Sequence, residues 1–167
     1  CDNNAIGRPF PGFLRKSGAA PAICDLAAIE WTWLESYHAA DAEALGLADI
    51  AGLDEAQLLA LPVCAHPAAR RTLLSAPLSD QLADLAALIN NPAAILTVRP
   101  EAEVRLVPLD AATSSLFAEV KKTTTIGNLL ALAAELPDIT DASQPVMTLL
   151  GAGALMEAGH EGDPSQL

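Results

Sequence analysis

Between residues 21 and 38 the apolar positions recur with a helical period. At about 100° per residue, Ile23, Leu26, Ala27, Ile29, Trp31, Trp33, Leu34, Tyr37 and His38 share an arc of roughly 200°, and Asp25, Ala28, Thr32, Glu35 and Ser36 fall opposite. Pro21 suits the first turn, where a missing N–H costs nothing. So wide an arc predicts a central helix buried on two sides. Glu30 interrupts it, between Ala27, Trp33 and Leu34. A buried carboxylate is either paired or protonated. Glu30 is therefore expected to be a structural buried group that meets Arg70, Arg71 or His66.

The flanks are less regular. Residues 1–19 are rich in Asn, Gly and Pro, with Phe10, Phe13 and Leu14 placed to pack a short turn onto the body. Residues 39–52 read as a connection. Asp54 suits the N-cap of a short helix through Ala60, which Pro62 stops. Val63 to Leu74 reads as extended, broken at His66-Pro67, because a residue before proline avoids the α region. Asp80 to Ile89 reads as another apolar-rich helix, ended by Asn90-Asn91-Pro92.

Then the period drops to two. Residues 95–99 and 103–107 form strand-like runs about a turn at 100–102. Val104 and Leu106 face one way, Glu103, Arg105 and Val107 the other, which predicts a hairpin with one wet face. Asp110 caps a helix through Lys121 that carries Leu116, Phe117 and Val120. Thr125 caps a second, Ile126 to Leu136, broken by Pro137. A third over residues 142–150 is stopped by Gly151 and Gly153, and Ala154 to Met156 follows as a closing strand. The predicted fold class is α+β, mainly α: a helical lobe built on a central helix 21–38, plus a small antiparallel sheet with a winged-helix-like C-terminal module. The expected units are an arm and helical lobe over 1–90, the winged-helix-like module over 91–158 and a frayed tail over 159–167.

Charge narrows the partners. The net charge is −12 and there are only nine basic residues. Their densest groups are the pairs Arg70-Arg71 and Lys121-Lys122, whereas displacing counterions from phosphates takes clustered cations. The third helix offers base edges only Gln144, and the second only Asn128. Both features argue against DNA, RNA and anionic membranes as main partners. Aromatic residues make up 4% of the chain, so alanine and leucine carry the core and favour helix. Cys1, Cys24 and Cys64 make no CxxC pair, which fits a reducing, cytoplasmic setting, and the sequence contains neither a signal peptide nor a membrane-length apolar run.

Catalytic chemistry is sparse. Cys64 and His66 would share a strand face, but a metal needs three or four converging ligands. They read as a buried thiol beside a hydrogen-bonded imidazole. His38 and His160 have no company in sequence. No phosphate loop, dinucleotide fingerprint or nucleophile elbow occurs. No catalytic residue, metal ligand or cofactor site is expected in this chain.

One segment carries a resemblance. Residues 25–42, DLAAIEWTWLESYHAADA, resemble a signature of the HvfC/BufC-like family, written DLARLEWAxxxAxHAxDA. Phe10 to Leu14 resembles its FPxFL turn, His66-Pro67 its LHPS element, and Ile95 to Pro100 its VxRP strand. The resemblance runs over nearly the whole chain. It departs at Ala28, where an arginine is common, and in lacking the family's N-terminal helical region, the part labelled a DNA-binding domain. The chain thus resembles the C-terminal part of such a protein, with an upstream helical domain expected to be missing.

The resemblance implies a heterodimeric partnership. Such proteins accompany TIM-barrel enzymes with multinuclear iron, which modify cysteines of ribosomally made peptides in methanobactin and bufferin biosynthesis. The iron would sit in the partner. This chain would bind the precursor's leader peptide, by strand addition at a sheet edge, and present it. Ile95, Thr97, Arg99, Glu103, Arg105 and Val107 are the expected peptide contacts. Trp31, Trp33 and His66 are the expected contacts with the iron subunit, and Glu30 and Arg70 the buried polar pair. Two alternatives stand beside this reading: a DNA-binding transcriptional regulator, suggested by the winged-helix-like half, and an independent enzyme using Glu30, Cys64 and His66.

Overall fold

Short-range signals place most of the elements. A computed structural model describes residues 10–77, 91–120, 123–137 and 139–159. The first half holds α1 (Phe10–Lys16), α2 (Pro21–Tyr37), α3 (Leu47–Ile50), α4 (Glu55–Ala60), β1 (Pro62–Ala65) and β2 (Arg70–Leu73). The second holds β3 (Ala94–Val98), β4 (Arg105–Leu109), α5 (Ala111–Glu119), β5 (Thr124–Thr125), α6 (Ile126–Ala134), α7 (Ser143–Gly151) and β6 (Leu155–Glu157). The fold is mixed α+β and mainly α. Pro21 opens α2 as its composition predicts. The Asp54 carboxylate accepts the Gln57 N–H at 2.8 Å while the Gln57 side chain accepts the Asp54 N–H at 3.0 Å, so α4 starts in a reciprocal cap. Asp110 accepts the Thr113 N–H at 2.7 Å and Thr125 the Asn128 N–H at 3.2 Å, which starts α5 and α6 where expected. The stretch expected to be irregular contains the short helix α3. The helix expected over 80–89, Lys121-Lys122 and His160 lie outside the described residues.

The strands form two antiparallel sheets, ordered β5-β1-β6 and β2-β3-β4. The extended run 63–74 is divided between them, one strand on each side of His66-Pro67. Each sheet combines strands from before and after residue 90. Among the described residues an apolar core runs from Leu45 and Val63 through Leu96, Leu129 and Leu149 to Leu155.

β3 is the middle strand of its sheet and all five of its residues are buried. Ala94, Leu96 and Val98 face the core, while Ile95 and Thr97 lie under α2. The face expected to be wet, that of Glu103, Arg105 and Val107, lies on the core side instead: Val107 stands opposite Leu96 and packs on the core, Arg105 stands opposite Val98 and stays exposed at the strand's start, and α2 covers the other face of β3. The second hairpin strand starts at Arg105, and Glu103 sits in the preceding bend. The Leu74 N–H bonds the Ala93 carbonyl at 3.0 Å, which sets the odd residues of β3 towards β2 and the even ones towards β4. By this register Pro108, opposite Ile95, puts its missing N–H on the free edge of β4, where a proline is tolerated.

Three helices and a closing strand follow in the predicted order. That strand, β6, does not join the hairpin. It pairs with β1, Val63 opposite Glu157. Gly153 makes the turn into it at φ 69°, and a Cβ there would stand 2.5 Å from the Pro100 Cβ. Glycine is required both for the left-handed conformation and for the close approach.

Candidate functional site

The central helix buries only part of its apolar arc, Ala27 and Ile29, and turns the rest outward. The buried residues of α2 are Cys24, Asp25, Ala27, Ile29 and Ser36. Glu30 is exposed, so it is not the buried carboxylate that its place in the arc predicts. Asp25 is. Its Oδ2 accepts the N–H groups of Ser75 at 2.7 Å and Ala76 at 3.2 Å, and its Oδ1 accepts the Ser75 hydroxyl at 2.7 Å. Midway along, the Thr32 hydroxyl donates to the Ile29 carbonyl at 2.9 Å and meets the hydroxyls of Thr97 at 3.0 Å and Thr72 at 3.3 Å. Near the end, the Ser36 hydroxyl donates to the Ala68 carbonyl. The sheet face under α2 carries threonines, and short polar side chains on the helix satisfy them. A hydrophobicity pattern cannot register such a pairing.

Arg99 completes this seam. Its Nε donates to the Ser36 carbonyl at 3.0 Å and its Nη2 to the Ala39 carbonyl at 2.7 Å, while its Nη1 reaches Asp41 at 2.8 Å. The guanidinium thus caps the negative end of the α2 dipole. It is engaged there and is not presented to a peptide.

His66 is 2% exposed. The Ala68 N–H donates to its Nδ1 at 3.1 Å, so the ring proton belongs on Nε2, which bonds the Ala42 carbonyl at 3.1 Å. With both nitrogens engaged and the ring buried, His66 pins two loops together and is not a surface contact. Arg70 donates to the carbonyls of Pro67 and Ala69, and its ion pair, at 3.5 Å, is with Glu35 rather than Glu30. Arg71 holds the Ser114 carbonyl at 2.7 Å, tying β2 to α5.

The expected peptide contacts do not form one edge. Ile95 and Thr97 are buried in a strand with partners on both sides, and Val107 packs on the core. Glu103 and Arg105 are exposed, and Arg105 makes a 3.8 Å ion pair with Glu101. Cys64 pairs across the ladder with Met156, and burial pushes its thiol pKa up, which keeps it protonated and a weak nucleophile at neutral pH. Among the described residues no three His, Cys, Asp or Glu side chains gather where they could hold a metal.

Two surface features remain, and composition alone signals neither. The first is the outer face of α1 and α2. Phe10, Phe13, Ile23, Trp33, Leu34 and Tyr37 are each between 40% and 62% exposed. The arm's aromatics were expected to pack inward, yet they continue this face outward. Trp33 and Tyr37 stack at 5.6 Å, with His38 edge-on to Tyr37 at 5.1 Å. Trp31 turns inward, its indole N–H buried with no hydrogen-bond acceptor among the described residues.

The second is a cleft of about 450 Å³ between residues 43–49 and β6. The bonds Ala158 N–H to Pro62 and His66 N–H to Ala154 set the even residues of β6 towards β1. Leu155 and Glu157 therefore point their backbone groups into the cleft. The Leu155 carbonyl takes the Leu45 N–H at 2.8 Å. Among the described residues nothing bonds the backbone of Glu157 on that side. Four residues lie between His38 and Glu43, so the five steps of chain limit their distance to about 18 Å, and Arg99 anchors the link at Ala39 and Asp41.

Among the described residues no helix is long and apolar enough to cross a membrane. In comparisons with known proteins, the chain matches no family model, no curated protein and no solved structure.

Proposed function

We propose that this chain is a non-catalytic, cytoplasmic partner subunit that binds the leader of a ribosomally made precursor peptide and presents it to an iron-dependent TIM-barrel enzyme for cysteine modification. The observation that carries this reading is the outward apolar face of α2. The helix that bears the HvfC/BufC-like signature buries Ile29 with small and polar side chains and leaves Ile23, Trp33, Leu34 and Tyr37 in solvent. Exposed apolar residues grouped on one helix face, here around the exposed Glu30, favour a protein partner, and burying each such side chain is worth about 1.5–3 kcal/mol. Trp33 and Tyr37 are the anchors of that contact, and Trp31, turned inward, does not reach it. Iron belongs to the partner.

Presentation requires the held peptide to lie near the docked enzyme. The short Arg99-anchored link between His38 and Glu43 supports that arrangement. The free thiols of Cys24 and Cys64 fit a reducing compartment. Co-expression with a TIM-barrel iron subunit of the kind that accompanies HvfC/BufC-like proteins tests the reading. The two chains are expected to co-purify, and the precursor's cysteines to be modified only when both are present. Separate elution, or modification that does not depend on this chain, would overturn it.

A further inference from the structure

We infer that the cleft along β6 is the seat of an extended, positively charged peptide segment, paired to the backbone of Glu157. The inference rests on the peptide-holding half of the reading above and gives that peptide a place and a chemistry.

Three features converge on the cleft. Its wall is a sheet edge with an unused donor and acceptor at Glu157, next to the point where Leu45 already pairs with Leu155. A strand laid there would continue the pairing that Leu45 begins. Its floor is apolar, with Leu45 and Met156, and its volume of about 450 Å³ admits the side chains on one face of such a strand. Its rim carries Glu43, Asp49 and Glu157, and neither lysine nor arginine lines it. Asp49 also accepts the Gly46 N–H at 2.7 Å, which fixes its carboxylate at the rim.

The occupant is thus a strand that alternates apolar and basic residues. A second copy docked edge to edge would set like charges opposite each other, which disfavours self-pairing. On the hairpin sheet, the outer edge of β4 is interrupted by Pro108.

The test is a titration of the isotope-labelled chain with a ten-residue peptide alternating Lys and Val, its Glu-Val counterpart, and two forms of the Lys peptide N-methylated at alternate residues, one in each phase. The Lys peptide is expected to move the Leu155 and Glu157 amide signals and to bind at least about tenfold more tightly than the Glu peptide. One N-methylated phase should bind and the other should not, because strand pairing uses every second backbone group. The Glu43→Gln/Glu157→Gln variant leaves the Asp49 cap intact and should weaken the Lys peptide severalfold. Equal binding of the two charges, equal binding of the two N-methylated phases, or signals that move elsewhere would overturn the inference, as would no binding. Co-purification with the iron enzyme reads the other claim separately. A chain that binds the enzyme but not the Lys peptide keeps the partnership and loses the cleft; one that binds the peptide but not the enzyme does the reverse.

Discussion

The sheet β2-β3-β4 is covered on both faces, by two different chemistries. On one face Ala94, Leu96, Val98 and Leu109 meet the apolar core with Leu129, Leu149 and Leu155. On the other, Thr72 and Thr97 meet Thr32 of α2, flanked by the fastenings of Asp25 at one end of the helix and Ser36 with Arg99 at the other. The apolar face gains from area and has little directional demand. The polar face is directional: an unmet donor or acceptor there costs more than a met one contributes. This is why α2 sets Asp25, Thr32 and Ser36 towards the sheet beside Ile29, and why Ile23, Trp33, Leu34 and Tyr37 are left in solvent.

Substitutions can break or sharpen that contrast. The largest loss is expected on the apolar side, where Leu149→Ala removes a fully buried side chain and should cost about 3–5 kcal/mol in urea unfolding. Arg99→Ala removes the α2 cap and leaves the Ser36 and Ala39 carbonyls unmet; about 2–3 kcal/mol is expected, with faster amide exchange between Ala39 and Glu43. Asp25→Asn keeps one acceptor but loses charge-assisted bonds to Ser75 and Ala76, for about 1–2 kcal/mol. Thr97→Val keeps the shape and removes one hydroxyl of the cluster, and about 1 kcal/mol or less is expected. If Thr97→Val and Asp25→Asn both proved neutral, the seam would not be what orients the helix. At the bottom of the scale, Trp33→Ala on the outer face should shift stability by no more than about 0.5 kcal/mol.

The same contrast explains what could be read from the sequence. Caps at Asp54, Asp110 and Thr125, and the start at Pro21, depend on neighbours within three residues, and they fall where predicted. The helical period of α2 was legible but its facing was not. The groups that decide the facing, Thr72, Ser75 and Thr97, lie far along the chain. An apolar-arc rule assumes an apolar host surface, and here Thr72 and Thr97 stand beside Ile95 in it. That error moved the buried carboxylate from Asp25 to Glu30. The sequence singles out Arg99 as a peptide contact, and His66 both as a hydrogen-bonded imidazole and as a partner contact; each is engaged with backbone carbonyls, which agrees with the hydrogen-bonded reading of His66. The cleft was not legible, because its walls come from the connection at 43–49 and from a strand whose partner, β1, is set by long-range pairing.

The outer face of α2 carries the functional account, so its most direct test is binding to the TIM-barrel iron subunit by the wild-type chain and by Trp33→Ala/Tyr37→Ala, with unfolding of both measured in parallel. The account predicts a stable complex for the wild type, and for the variant a nearly unchanged unfolding midpoint with affinity reduced at least about tenfold, as expected for loss of central aromatic anchors. A variant that folds normally and binds the enzyme as tightly as the wild type, or a wild-type chain that does not bind it, would contradict the account.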